Sequence, residues 1–267
     1  MRMYLSVFKL RLLNGLQYRT AALAGLATQF CWGFMFIMVY EAFYLNGTAG
    51  AAISLEQLVD YMWLQQAFLV FIALWLRDSE LFSLITSGNI AYELCRPCGI
   101  YEFWYAKLLA QRFSGAILRC FPVLIIAALL PEPYGLSGPS GIAAAVLFAV
   151  TLILGLLVVV SISMLIYISV FITMSPVGSF LMIGVLGEFF AGMIIPIPLM
   201  PQWLQRIAYF LPFRLAADLP FRVYSGNIPV MEGIRSISIQ AIWLVFLVLL
   251  GRVLMKKALT RVVVQGG

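Results

Sequence analysis

Between Glu132 and Glu188 the chain contains no Lys, Arg, Asp or Glu, and two shorter charge-free runs lie between Arg19 and Glu41 and between Asp60 and Arg77. A bilayer core of about 30 Å takes about 20 apolar residues in a helix. The longest gap therefore holds two crossings, with Pro176 and Gly178 supplying the turn between them. Hydrophobic residues make up 63% of the 267-residue chain and charged residues 10%, against about 45–50% and about 25% in a soluble domain. No fold of this length hides so much apolar side chain from water, so lipid must cover it. Hydrocarbon offers backbone groups no partner except each other. Because the runs are long and lack the period-two alternation of barrel strands, they read as helices.

The expected fold is all-α and integral to the membrane, a single transmembrane domain over residues 1–267 with six spans near 21–45, 56–76, 104–130, 142–173, 177–196 and 236–256. Residues 1–20 read as an interfacial elbow helix, 77–103 as a cytoplasmic segment, 197–235 as an extracellular re-entrant region and 257–267 as a cytoplasmic tail. Basic residues set the orientation. Arg2, Lys9, Arg11 and Arg19 precede the first span and Arg252, Lys256, Lys257 and Arg261 follow the last, with no acid among them. The 41–60 loop instead carries Glu41, Glu56 and Asp60 with no base, and the 131–141 loop carries Glu132. Both termini are accordingly expected in the cytoplasm. Arg206, Arg214, Arg222 and Arg235 dissent, since they place basic charge in the segment assigned to the outside.

The net charge of +6 follows from this topology and from attraction to anionic lipid, and gives no reason to expect nucleic-acid binding. The chain has no histidine, which removes Ser-His hydrolysis, H-E-x-x-H metal chemistry and histidine proton relays. It also lacks a G-x-x-x-x-G-K-[ST] loop, so no P-loop for ATP is present. Cys31 and Cys120 fall inside spans, and the C-R-P-C of Cys95 and Cys98 lies where thiols stay reduced, without further ligands for zinc. No metal and no cofactor is expected in this chain, and it does not read as an enzyme.

Four stretches stand out. The amino-terminal "MRMYLSVFKLRLLNGLQYR" mixes basic and apolar positions at helical spacing, as in a helix lying in the interface plane. In "RDSELFSLITSGNIAYELCRPCG", Asp78 or Ser79 can cap a short helix that points Leu81, Leu84 and Ile85 one way. A second short helix, Ile90 to Cys95, stops before Pro97. Such mixed-charge helices suit a partner protein, or simply a solvated connection. In the third span, Arg112 can snorkel to the cytoplasmic surface, whereas Arg119 lies deep. Glu188 sits at a similar depth in its own span, so the two are expected to pair within a subunit or across a dimer interface. Such a pair either fixes packing or lets Glu188 line a pathway. Finally, Pro196, Pro198 and Pro201 break the fifth span, while Trp203, Leu204, Ile207, Phe210 and Leu211 recur at helical spacing beyond it. Broken backbone at this depth needs protein or a water-filled cavity around it.

Three of these stretches together resemble one family. "ITSGNIAYELCRP" at 85–97, "FFAGMIIPIPLMPQWLQRIAYFLPF" at 189–213 and the amphipathic amino terminus are similar to elements of the membrane subunit of bacterial ABC-2 type exporters, in the compact six-span branch. The resemblance implies a dimer of two permease subunits in the bacterial cytoplasmic membrane, homo- or heteromeric. Each subunit would sit on a cytoplasmic ABC ATPase that holds the ATP and magnesium. It implies coupling to that ATPase through Glu80, Leu84, Ile85, Gly88, Glu93 and Arg96 and an extracellular gate at Pro196, Pro198, Pro201 and Trp203, while Glu188 and Arg119 stay as the intramembrane polar groups that their depth in the spans picks out. The alternative from another class is a secondary carrier or channel not energised by ATP. Neither reading names the transported substrate.

Overall fold

A computed structural model describes residues 2–17, 19–45, 52–173 and 175–260 of the chain. The 46–51 part of the first loop and the tail from Arg261 onward, both used in the orientation argument, lie outside the described residues. Every regular element described is helical: α1 (Arg2–Leu16), α2 (Arg19–Leu45), α3 (Leu55–Ala67), α4 (Leu69–Ile72), α5 (Ser79–Thr86), α6 (Ile90–Leu94), α7 (Ile100–Leu129), α8 (Ile142–Thr173), α9 (Pro176–Phe190), α10 (Gln202–Phe210), α11 (Asp218–Tyr224) and α12 (Val230–Leu259), with short 3-10 turns at Ile197–Leu199 and Phe213–Leu215. Among the described residues four helices are long and apolar enough to cross a membrane, at Ala22–Leu45, Ile100–Leu129, Ile142–Thr173 and Val230–Leu259. They coincide with four of the expected spans, and the chain is a multi-pass membrane protein.

The remaining two expected spans are interrupted. The second is α3 followed by α4, split at Phe68 and ended by extended backbone at Ala73. The fifth is α9, whose 15 residues reach only about 22 Å. Pro176 begins α9 at its first turn, where a missing N–H costs nothing, so the predicted turn after α8 falls at the proline, while Gly178, expected to share it, lies inside α9.

At the centre lies α3. Its residues Leu58 to Ala67 are all buried, the pattern of a helix enclosed on every side. Ser54 and Gln57 cap its start reciprocally. Trp63 packs edge-on against Phe34 and near Phe30 of α2, and Gly33 leaves room for its ring, since a Cβ there would come within 2.9 Å of Trp63. On the other side α8 packs lengthwise against α12, and Gly155 lets α8 approach the 3-10 turn, where a Cβ would meet the Leu215 carbonyl oxygen at 2.8 Å.

The amino-terminal helix packs along α7. Tyr4 meets Gly99, Phe8 meets Phe113 and Gly15 meets Ser114, so Tyr4 and Phe8 supply a packing edge for α7.

Arg112 corrects a second expectation. It does not snorkel: it is only 2% exposed. Its Nη1 donates to the carbonyls of Val70 (3.0 Å), Phe71 (3.2 Å) and Ala73 (2.8 Å), and Nη2 donates to Ser163 Oγ (3.2 Å). These are the carbonyls that the broken end of α4 leaves without helical partners. The guanidinium fork thus closes the second span from the side and ties α4, α7 and α8 together.

Arg112→Leu should therefore lower stability by about 3 kcal/mol or more, because several buried acceptors lose a charged donor at once. Arg112→Lys should recover only part of it, since one ammonium cannot reproduce the fork. Thermal unfolding of the detergent-purified variants followed by helicity checks both values.

Candidate functional site

The segment between the two halves of the molecule, α5 and α6, is held from three directions. Asp78 caps α5, its Oδ1 accepting from the N–H groups of Glu80 (2.9 Å) and Leu81 (3.2 Å), as the sequence allowed. The Asp78 N–H in turn donates to the Tyr167 hydroxyl of α8 at 2.7 Å. Phe82 stacks obliquely on Tyr167 at 4.6 Å and meets Phe180 of α9 edge-on at 5.9 Å, while the Arg77 guanidinium lies 4.7 Å from the Phe180 ring.

From the third side comes α7. Lys107, buried at 5% exposure, reaches Glu80 Oε1 at 3.3 Å and Glu93 Oε1 at 3.7 Å. Glu80 is also paired with Arg11 of α1. Glu93, buried on α6, pairs with Arg96 at 3.2 Å and accepts from Trp104 Nε1 at 3.3 Å. Arg96 and Lys107 both sit over the Phe103 ring, at 4.8 and 4.9 Å. One alternating row of charges, Arg11–Glu80–Lys107–Glu93–Arg96, thus joins α1, α5, α6 and α7.

Of the six residues expected to meet a partner, the structure turns several inward. Glu93 and Ile85 are buried, Leu84 packs against the core, and Glu80 spends both oxygens on neighbours within the chain. Gly88 sits at the joint between α5 and α6 with φ of 75°, and a Cβ there would have no atom within 4 Å. It is needed for its backbone angle and not for close approach. Arg96 remains exposed. Glu80 is also exposed on its outer side, and further outward-facing residues are ones the sequence did not single out: Tyr92 is 74% exposed and Leu94 42% exposed, beside Ser83, Ser87 and Asn89. A helix of five residues gives too little periodicity to tell its two faces apart, and the inward turn of Glu93 depends on Lys107, distant in sequence.

The far end of the molecule holds the proline-broken segment. Helix α9 stops at Phe190 and the chain turns at Gly192, with φ of 80°. Three successive carbonyls then take donors from other helices: Gly192 O accepts from Tyr61 Oη (3.0 Å), Met193 O from Gln65 Nε2 (2.8 Å) and Ile194 O from Tyr40 Oη (3.1 Å). Pro196 and Pro198 are buried, Pro201 is exposed and starts α10, and Gln205 turns back to the carbonyls of Pro198 (3.3 Å) and Met200 (2.7 Å). Trp203, at 65% exposure, and Phe210, at 78%, project away from the chain on the apolar face of α10.

The dissenting arginines of this region are partly explained. Arg214 is buried with its guanidinium 4.1 Å from the Tyr209 ring, and Arg222 pairs with fully buried Asp218 at 3.3 Å. Neither contributes a free surface charge, so neither weighs on topology as an exposed loop arginine would.

Glu188 and Arg119 do not pair within the chain. Among the described residues no ion pair joins them. Arg119 lies against α2, where a Cβ on Gly25 would come within 2.6 Å of its guanidinium carbon. The Glu188 carboxyl faces the backbone N–H of Trp75, and its buried Oε1 has no hydrogen-bond partner among the described residues. Equal depth put the two at one level, but depth carries no information about which way each helix is rotated.

Burial alone would raise the Glu80 carboxyl. The Arg11 hydrogen bond and the charges of Lys107 and Arg11 outweigh it and hold the group below its ordinary value near 4.5. The stabilisation is then present above that value and is lost as pH falls through the lower value of the folded protein. Amide protection in α5, taken relative to the intrinsic exchange rate at each pH, should stay high from neutral pH down to the ordinary glutamate range and fall below it. In Glu80→Gln, exchange should already be faster at neutral pH and lack the acid step. Identical profiles for the two proteins would contradict the role given to Glu80. Compared with known proteins, the chain matches no family model and no curated protein.

Proposed function

We propose that this chain is the permease subunit of an ABC-2 type exporter, forming part of a translocation pathway and driven by a separate ATPase. The observation that carries the reading is the arrangement of α5 and α6: two short helices between hydrophobic segments, pinned to α1, α7, α8 and α9, with Tyr92 and Leu94 turned outward. A push on Tyr92 would move four helices at once, because the charged row and the Phe82 aromatic contacts leave α5 no independent freedom. The ion pairs that fix this platform are internal, so the docking contacts fall to the exposed side chains of α6 and the joint.

In this reading α2, α3 with α4, α7, α8, α9 and α12 make six crossings, with both termini in the cytoplasm of a bacterium. The platform faces a cytoplasmic ATPase that binds ATP and magnesium. The segment from Gly192 to α10 lies at the outer mouth, where its carbonyls are already satisfied and the chain can remain unwound in apolar surroundings. The exposed apolar face of α10 and the exposed Trp32, Met35, Met38 and Phe43 of α2 offer surface to lipid or to a second permease subunit. Reading Glu188 as a pathway group draws support from its unpartnered oxygen.

The test is purification of the tagged chain from its own host membrane. An ATPase carrying Walker motifs should copurify, and its turnover should depend on the permease. Tyr92→Ala should weaken that association about thirtyfold, the effect of losing about 2 kcal/mol at an aromatic contact centre, with the helical content of the membrane part unchanged. The proposal fails if the chain alone moves solute across liposomes, or if Tyr92→Ala and Leu94→Ser leave ATPase binding as it was.

A further inference from the structure

Away from both regions, a groove of about 460 Å³ opens between α1, α7, α8 and α12. Its walls are apolar: Leu5, Phe8, Leu109, Leu157, Leu244 and Val248. One wall residue is out of keeping with them. Tyr101, only 5% exposed, lines the groove, and its buried hydroxyl has no hydrogen-bond partner among the described residues. An unpaired hydroxyl in an apolar setting is costly, and Tyr105 on the next turn of the same wall shows the usual remedy, donating to Leu157 O at 2.8 Å.

The mouth of the groove has the opposite character. Arg252 lines it and uses Nε on Glu102 Oε1 at 2.8 Å. Among the described residues, its two Nη groups have no partner. Lys256 follows one turn later on α12 and Arg2 opens α1; both are exposed. Glu102 is the acid at this mouth, and Arg252 already neutralises it. The groove therefore presents, from inside outward, an apolar wall, one donor lacking an acceptor, and an excess of cations.

We propose that this groove is a binding site for one anionic diacyl phospholipid. An acyl chain lies along Phe8, Leu157 and Val248, an ester oxygen accepts from the Tyr101 hydroxyl, and the phosphate meets the Nη groups of Arg252. The match is one of order as well as of type, since a phospholipid carries apolar chain, ester acceptors and phosphate in the same sequence. A second copy of the chain would cover the apolar wall but would bring helices whose backbone acceptors are already used. The site is separate from the α5–α6 platform and does not depend on how transport is driven.

The full chain purified in dodecyl maltoside, offered phosphatidylglycerol or phosphatidylcholine with the same acyl chains, tests this by native mass spectrometry. One phosphatidylglycerol per chain should be retained in preference to phosphatidylcholine. Tyr101→Phe, which keeps the ring and so the packing, should weaken retention about tenfold, as should Arg252→Gln, each removing one donor to the headgroup region. Ala106→Trp, filling the groove from α7, should abolish retention while leaving helicity intact. Equal retention of the two lipids, or unchanged retention in Tyr101→Phe and Ala106→Trp, overturns the proposal. A dimer mass that Ala106→Trp converts to monomer also overturns it, by assigning the groove to a second copy.

Discussion

A carbonyl group left without a partner inside hydrocarbon costs several kcal/mol, and this chain leaves such groups at two broken spans. The structure answers with side-chain donors from neighbouring helices. Arg112 serves the carbonyls of Val70, Phe71 and Ala73, while Tyr61, Gln65 and Tyr40 serve those of Gly192, Met193 and Ile194. Two further glutamines add buried donors: Gln29 to Gln66 O beside the break at Phe68, and Gln240 to Leu215 O in a 3-10 turn and to Thr151 O of α8. Several of the polar side chains buried in the apolar interior thus permit irregular backbone, and α3 at the centre supplies two of them, Tyr61 and Gln65.

The same device links the two ends of the molecule. Helix α3 holds the unwound segment after α9 through Tyr61 and Gln65, and α4, its continuation, is held by Arg112 from α7. Beyond α4, Asp78 and the aromatic contacts of Phe82 fasten α5 to α8 and α9. A continuous chain of specific contacts thus runs from the outward face of α6, through α5, α7 and α4, to the turn at Gly192. The two irregular regions are thereby joined through packed side chains and hydrogen bonds, not through the backbone alone.

The long helices were legible because charge is excluded from hydrocarbon, and the gaps between charged residues mark their extent. The turn at Pro176, the cap at Asp78 and the short helices α5 and α6 were legible for a related reason: each depends on residues adjacent in sequence. The break at Phe68 and the unwinding at Ala73 were not, because residues 61–76 contain neither glycine nor proline, and the donors that serve the carbonyls there, Gln29 and Arg112, lie some forty residues away in sequence. The burial of Glu93 and the separation of Glu188 from Arg119 were hidden likewise. Hydropathy fixes how deep a residue lies, and rotation about each helix axis is settled only by tertiary packing.

The most direct measurement concerns Gly192, the one glycine in the chain followed by methionine. Carbonyl-carbon-labelled glycine combined with nitrogen-labelled methionine therefore isolates its carbonyl by solid-state NMR in lipid bilayers. The account predicts a shift typical of a strongly hydrogen-bonded carbonyl, moving toward the unbonded value in Tyr61→Phe. A Gly192 carbonyl that resonates as unbonded in the native chain, or one that Tyr61→Phe leaves unmoved, would contradict the claim that side chains from other helices seal the broken span.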